Sequence, residues 1–307
     1  MATPPIDVVL PVRARLGECP IWDTEQHVLW WIDVDSRRIH RTDPSTSRDE
    51  ECKISGRPGS IVLTSDPDRL VSGVEHAIVD VAWPTGELRH RVVVEYDDAR
   101  PTRLNDGRCD QSGRYWVGSM HDPDTSGIFA GGFYCVDAAP GRSDRVRTLV
   151  RGGVGIANGL AFSPDGRTMY WADSPRRTVW AYDYDLDTGE RRAPRVFTRF
   201  GGSGAPGFPD GACVDADGCY WSACVTAGHM ARFTPAGDLD RLIATPMAWP
   251  TMAAFGGGDL STMFVTSIGG DGQVGSAHPN DKMAGALIAI DLSGSGISGL
   301  PEPRYSG

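Results

Sequence analysis

Apolar positions along this chain come in short bursts. Runs of Val, Ile, Trp, Tyr and Phe are broken by Gly, Pro, Asp and Asn, and a helical spacing of apolar residues is nearly absent. Such a pattern predicts β-strands joined by tight turns. Five strings align with one another: HVLWWIDV (27–34), GRYWVGSM (113–120), RTMYWADS (167–174), GCYWSACV (218–225) and STMFVTSI (261–268), with DRLVSGVE (68–75) as a weaker sixth. Taking Trp31, Val71, Trp116, Trp171, Trp221 and Val265 as equivalent positions gives spacings of 40, 45, 55, 50 and 44 residues. That is the length of chain a four-stranded propeller blade needs.

Most anchors follow a turn rich in Asp and Gly, such as SPDG (163–166), DADG (215–218) or DQSG (110–113), and that turn follows another apolar strand. Each unit therefore opens strand, tight turn, strand. Six units fill the chain, which predicts an all-β, single six-bladed β-propeller domain over residues 1–307. The strand-like segment at 6–12 precedes the first complete unit and is expected to pair with the last blade, closing the ring without a long exposed edge.

Composition narrows the partners. The chain has 307 residues, is 40% hydrophobic and carries a net charge of −10 with no block of Lys and Arg, so neither nucleic acid nor an anionic membrane is an expected partner. The first residues lack the apolar core of a secretory signal and no 18-residue apolar run occurs, which predicts a cytoplasmic protein, a monomer or weak homo-oligomer. Seven cysteines, an odd number without a CxxC pair and mostly inside apolar runs, read as reduced core thiols.

Candidate chemistry stands at the head of each unit. The turn between the first two strands lies at one end of a sheet, so the residues opening the first strand ring the other end of the central channel. Counting back thirteen residues from each anchor gives Glu18, Pro58, Arg103, Asn158, Phe208 and Met252; counting back eleven gives Pro20, Ser60, Asn105, Leu160, Asp210 and Ala254. Asn-Gly at 158–159, Asn-Asp-Gly at 105–107 and Pro-Asp-Gly at 209–211 are each ordinary turn sequences taken singly. Their recurrence at one place in several blades favours a site, and Glu18 has no turn role at all. Buried polar groups converging on an axis need a shared partner. Two carboxylates, Glu18 and Asp210, and one amide oxygen make an all-oxygen set suited to one divalent cation, Ca²⁺, Mg²⁺ or Mn²⁺, or Zn²⁺ with water completing its shell.

The motifs LGECPIW (16–22), RLNDGRCDQSGRYWVGSMH (103–121), NGLAFSPDGRTMYWADS (158–174) and PDGACVDADGCYW (209–221) resemble the SMP-30/gluconolactonase/luciferin-regenerating-enzyme family over essentially the whole chain. The resemblance implies a six-bladed propeller holding one divalent cation through Glu18, Asn158 and Asp210, with Arg103 and Asn105 contacting substrate. Where the regucalcin branch reads Met-Ala-Glu-Glu, this chain reads Met-His-Asp-Pro (120–123), so Pro123 replaces a substrate-side glutamate. His121 and Asp122 are more similar to the bacterial lactonase pattern, and His121 is a candidate substrate contact.

The implied reaction is metal-dependent hydrolysis of a sugar lactone, of gluconolactone, xylonolactone or arabinonolactone type, to the aldonic acid. Asp210 is the candidate general base, and Arg103 and Asn105 are donors for ring hydroxyls or a developing oxyanion. Two rival readings are a metal-dependent ester or organophosphate hydrolase and a non-enzymatic metal-binding propeller. Trp249, Phe255 and Phe208 are candidate pocket walls. His229 and His278 lie in Gly-rich loops and take no role in this reading.

Overall fold

Asp-Gly turns fold each unit as their chemistry dictates. In Asp110–Gly113 and Asp215–Gly218 the glycine N–H donates to the aspartate carbonyl (2.9 Å in both), with Gly113 and Gly218 at φ of +77° and +82°. The aspartate side chain caps the reversal by accepting the N–H of Ser112 and Arg114 in one turn and of Asp217 and Cys219 in the other. Its second oxygen takes the indole N–H of the anchor that follows, Trp116 at 3.2 Å and Trp221 at 2.9 Å. Turn and core are thus tied together.

The structure, a computed structural model, describes residues 3–11, 13–94, 101–122, 127–138, 144–202, 204–269 and 281–307. After β1 (Ile6–Leu10), the first blade is β2 (Gly17–Asp23), β3 (Val28–Asp33), β4 (Arg38–Asp43) and β5 (Arg48–Lys53). The second is β6 (Pro58–Leu63), β7 (Arg69–Val74), β8 (Ala77–Ala82) and β9 (Glu87–Val93), and the third β10 (Thr102–Cys109), β11 (Tyr115–His121), β12 (Gly131–Asp137) and β13 (Arg145–Val154). The fourth is β14 (Ala157–Phe162), β15 (Thr168–Asp173), β16 (Thr178–Asp185) and β17 (Glu190–Arg199), and the fifth β18 (Phe208–Val214), β19 (Tyr220–Val225), β20 (His229–Phe233) and β21 (Leu239–Ala244). The last is β22 (Pro250–Gly256), β23 (Thr262–Ser267) and β24 (Leu287–Asp291), to whose outer edge β1 pairs antiparallel, Ile6 opposite Ile290.

Six antiparallel four-stranded sheets result. Their first strands touch in a closed ring, β2 to β6, β10, β14, β18, β22 and back to β2, so the molecule is a six-bladed β-propeller. All six anchors fall in second strands, where Trp31, Trp116 and Trp221 are among the largest fully buried side chains. All seven cysteines are buried and unpaired, so they pack as thiols. Among the described residues the helical segments are two 3-10 turns, Ser174–Arg176 and Ser293–Ser295, and no helix is long and apolar enough to cross a membrane.

Residues 297–307 do something the strand pattern does not announce. After β24 they run beneath the ring, on the face carrying the turns between first and second strands. Ser298 O accepts from Ala216 N, Gly299 N donates to Leu260 O, Tyr305 N to Leu63 O and Ser306 N to Gly113 O. Arg304 pairs with Asp23 (2.7 Å), and Glu302 reaches Arg108 of β10 at 2.7 Å. This segment crosses five of the six blades and spans the channel end opposite the strand heads.

Candidate metal centre

All six first strands share a defect. Their pairing register shifts between Glu18 and Ile21, Pro58 and Ser60, Leu104 and Gly107, Asn158 and Ala161, Pro209 and Ala212, and Pro250 and Ala253. A bulge re-aims side chains and frees them from the ladder. Glu18, Asn105, Asn158 and Asp210 all stand at or within these bulges, inside strands, so the turn reading of Asn-Gly, Asn-Asp-Gly and Pro-Asp-Gly does not hold. Cys19 and Gly159, which follow Glu18 and Asn158, adopt left-handed φ of +48° and +62°. At Gly159 the reason is also steric, because a Cβ would stand 2.4 Å from the Tyr220 hydroxyl.

Two buried aspartates aim these strands. Asp33 accepts the N–H groups of Arg15 and Leu16 at 3.0 and 3.1 Å, just before Glu18. Asp173 accepts those of Gly155 and Ile156 at 3.1 and 3.4 Å, just before Asn158. The sequence signal is Trp-X-Asp, present at 31–33 and 171–173 and absent after Trp116 and Trp221. It marks the blades of Glu18 and Asn158 and was not used to find them.

A chain of hydrogen bonds joins the polar candidates across three blades. Arg103 donates from Nη1 to Asn105 Oδ1 (2.8 Å), and Asn105 Nδ2 donates to Asn158 Oδ1 (2.9 Å) and to Ala157 O (3.0 Å). Asn158 Nδ2 donates to Ser174 Oγ (2.9 Å), which donates to Pro209 O (2.6 Å), the carbonyl before Asp210. Ser60 supports Asn105 from the second blade by donating to its carbonyl at 2.9 Å.

The carboxylates carry the opposite signature, burial with poor satisfaction. Burial, and then the charges of Asp210 and Asp106, push the Glu18 carboxyl well above its ordinary range, although a Cys19 N–H at 3.3 Å and the Arg103 charge oppose this. Burial and Asp106 push Asp210 up to about 8. Asp106 is itself raised by burial; its Oδ2 accepts from Leu160 N at 2.9 Å while its buried Oδ1 has no partner among the described residues. Sequence reasoning took Asp106 only as the middle of a turn tripeptide.

Like charges crowded together are what a cation relieves. The donors are all oxygens, fitting a hard divalent ion. Among the described residues no group of three or more His, Cys, Asp or Glu side chains is gathered as a metal site, so the fit rests on two carboxylates plus the Asn158 amide. A carboxyl that binds its proton more tightly when folded stabilises the fold at low pH, and that contribution is lost as pH climbs through the folded pKa. The stability of the metal-free protein is therefore expected to fall from the ordinary aspartate range, about pH 4, to about pH 8, and to flatten above it. Bound Ca²⁺ should remove most of that slope. Thermal melts at about pH 5, 7 and 9, with and without chelator, measure this; a metal-free melting temperature that rises with pH contradicts the crowded-carboxylate account.

Around this centre the other candidates divide. Arg103 is buried, and burial together with the Arg57 charge lowers its proton affinity while Asp122, Asp35 and Glu18 pull the other way. His121 ends β11 opposite Thr102, one residue from the Arg103–Met120 pair, and is buried. Asp122 is committed to Arg57 of the second blade, which also grips Glu75, and the guanidinium holds the Asp122 carboxyl below its usual range. Pro123 and His278 lie outside the described residues. Phe208 opens β18 with Arg177 stacked 3.9 Å over its ring, and Trp249 is half-buried. Phe255 corrects the expectation of a pocket wall: it is core, edge-on to Trp221 at 6.2 Å, because it lies well past the bulge of β22. His229 opens a third strand, its Nδ1 against Ala227 O, and lines a peripheral cavity of about 980 Å³ that none of the channel residues touches.

A family model described as the SMP-30/Gluconolactonase/LRE-like region matches residues 16–269. A 6-deoxy-6-sulfogluconolactonase from Pseudomonas putida is 35% identical over 298 residues, covering 95% of each chain. A pentonolactonase from Haloferax volcanii is 34% identical over 308 residues, covering 96% of each. Among solved structures, a calcium-binding regucalcin from Agrobacterium tumefaciens superposes with a TM-score of 0.85 at 25% identity over the full length of both chains.

Proposed function

The chain belongs to the SMP-30/gluconolactonase/LRE-like family, and from that premise we propose that it hydrolyses an aldono-lactone to the open aldonic acid, with one divalent cation held by Glu18, Asn158 and Asp210. The observation that carries this reading is the juxtaposition of two crowded carboxylates, half-buried Glu18 and buried Asp210, with an amide oxygen onto which the Arg103–Asn105 pair is hydrogen-bonded. Bound there, a divalent cation would polarise a lactone carbonyl and acidify a water. Calcium is the first ion to test, since the Agrobacterium tumefaciens relative is described as calcium-binding.

The remaining chemistry belongs to side chains. Asp210 accepts a proton from the attacking water at a carboxylate oxygen as the new C–O bond forms, and returns it to the ring oxygen as the ester C–O bond breaks. Arg103 offers a fork of donors to the developing oxyanion or to ring hydroxyls, and Asn105 and His121 are placed to contact further hydroxyls. A polyhydroxylated substrate suits this set better than an apolar ester.

The two relatives named above act, by name, on six-carbon and five-carbon lactones, so both sizes belong in the test. Acid release from a panel of aldonolactones, measured with Ca²⁺, Mg²⁺, Mn²⁺ or Zn²⁺ and with chelator, is expected to show turnover of at least one lactone and its loss on chelation. No turnover by the metal-loaded protein refutes the reading in favour of a binding propeller. Turnover indifferent to chelator refutes the metal.

A further inference from the structure

Ser174 closes the string RTMYWADS and begins the 3-10 turn after β15. It is buried between the fourth and fifth blades, and its hydroxyl has two partners. Pro209 O, 2.6 Å away, is a carbonyl and can only accept, so the single hydroxyl proton is committed to it. What Ser174 turns toward Asn158 is therefore a lone pair, and only the NH₂ end of that amide can meet it, at 2.9 Å. The Asn158 oxygen is left pointing the other way, toward Asn105.

Asn105 demands the same orientation from the opposite side. Its own amide is set by Arg103, which can only donate, and by Ala157 O, which can only accept, so it offers Asn158 an N–H. Asn105, however, is a residue that substrate would engage. Once it turns to a hydroxyl, Ser174 alone keeps the Asn158 oxygen facing the site. The same hydroxyl ties Asn158 of β14 to the carbonyl preceding Asp210 of β18, so one atom sets the separation of two ligand-bearing strands.

We propose that Ser174 is a positioning residue of the cation site, holding the Asn158 amide with Oδ1 toward the ion and fixing its strand against the one that carries Asp210. This rests on the reading that Asn158 and Asp210 are ligands. Groups that orient a ligand typically change metal affinity by roughly ten- to a hundredfold when removed.

The test titrates the metal-free, full-length protein with Mn²⁺, following free Mn²⁺ by its paramagnetic resonance signal, for wild type, Ser174→Ala, Ser174→Thr and Asn158→Ala. Ser174→Ala is expected to weaken Mn²⁺ binding about tenfold or more, with the metal-free protein still folded and its melting temperature lowered only by about a few degrees for the two lost hydrogen bonds. Ser174→Thr, which keeps the hydroxyl, should recover most of the affinity. Should Ser174→Ala fail to fold, Ser174→Cys, which fills the same space with a much weaker hydrogen-bonding group, takes its place: weakened Mn²⁺ binding supports the positioning role, and wild-type affinity overturns it. Unchanged affinity in Ser174→Ala beside a clear loss in Asn158→Ala overturns the role of Ser174 and spares the ligand reading. Unchanged affinity in both overturns the ligand reading itself.

Discussion

Alanine at position 210 is expected to leave the protein without its divalent cation and without measurable lactone turnover. Two contributions combine. The substitution deletes one of only two charged donors in the candidate set, and it removes the group placed to take the proton from water, which by itself is worth about 10²–10⁴ in rate. Glu18→Ala should match it in metal loss, while Asn158→Ala should be milder because a neutral oxygen is removed. The metal-free protein should respond with the opposite sign. Burial and Asp106 already disfavour the Asp210 charge, so its removal relieves an uncompensated buried carboxylate and the metal-free Asp210→Ala protein should melt higher than metal-free wild type at about pH 8. Elemental analysis, initial rates and melts with chelator decide the matter. Full metal occupancy in Asp210→Ala would show that the site lies elsewhere.

Arg103→Ala is expected to separate binding of the ion from handling of the substrate. Arg103 reaches the ligand set by a hydrogen bond through Asn105 and by its charge on Glu18, and losing a neighbouring positive charge does not weaken a cation site, so the cation should stay. A lost charge-assisted hydrogen bond is worth about 1.5–3 kcal/mol, or roughly ten- to a hundredfold in rate constant, and that loss should appear with five- and six-carbon aldonolactones. An aryl ester or organophosphate, having no hydroxyls for the Arg103–Asn105 pair to hold, should lose much less. Equal losses on both substrate classes would assign Arg103 to the metal or the fold, and metal loss in this variant would do the same. Arg103→Lys should recover little, because an ammonium cannot reproduce a planar fork able to reach Asn105 Oδ1 and a substrate oxygen together.

The parts of this site that could be read from the chain are those that repeat. Trp31, Trp116, Trp171 and Trp221 mark second strands because four of the six blades bury a tryptophan in the same place, where Val71 and Val265 stand in the other two, and a fixed count back from them reaches the bulges. Glu18 stood out because no turn needed it. What could not be read depends on neighbours that are distant in sequence. Asp106 shares a tripeptide with Asn105, and only the bulge, which turns it toward Glu18 and Asp210, distinguishes it from a turn residue. Ser174 matters through a carbonyl 35 residues away in the next blade. Asp122 stands beside His121 in the motif, and its commitment to Arg57, 65 residues earlier, has no local signal. Phe255 misled because aromatic residues past a bulge return to the alternation of a core strand.

The segment beneath the ring bears on how the protein is made. Arg304 pairs with Asp23 across 281 residues of chain, and Tyr305 docks on Leu63, at the end of a strand completed early. During synthesis at about 5–20 residues per second, the first blades leave the ribosome long before these partners exist. Until then Arg108 has no Glu302 to pair with. The stretch that follows β24 is thus the one that ties five blades together from below, and no nascent chain ending before it has formed these contacts.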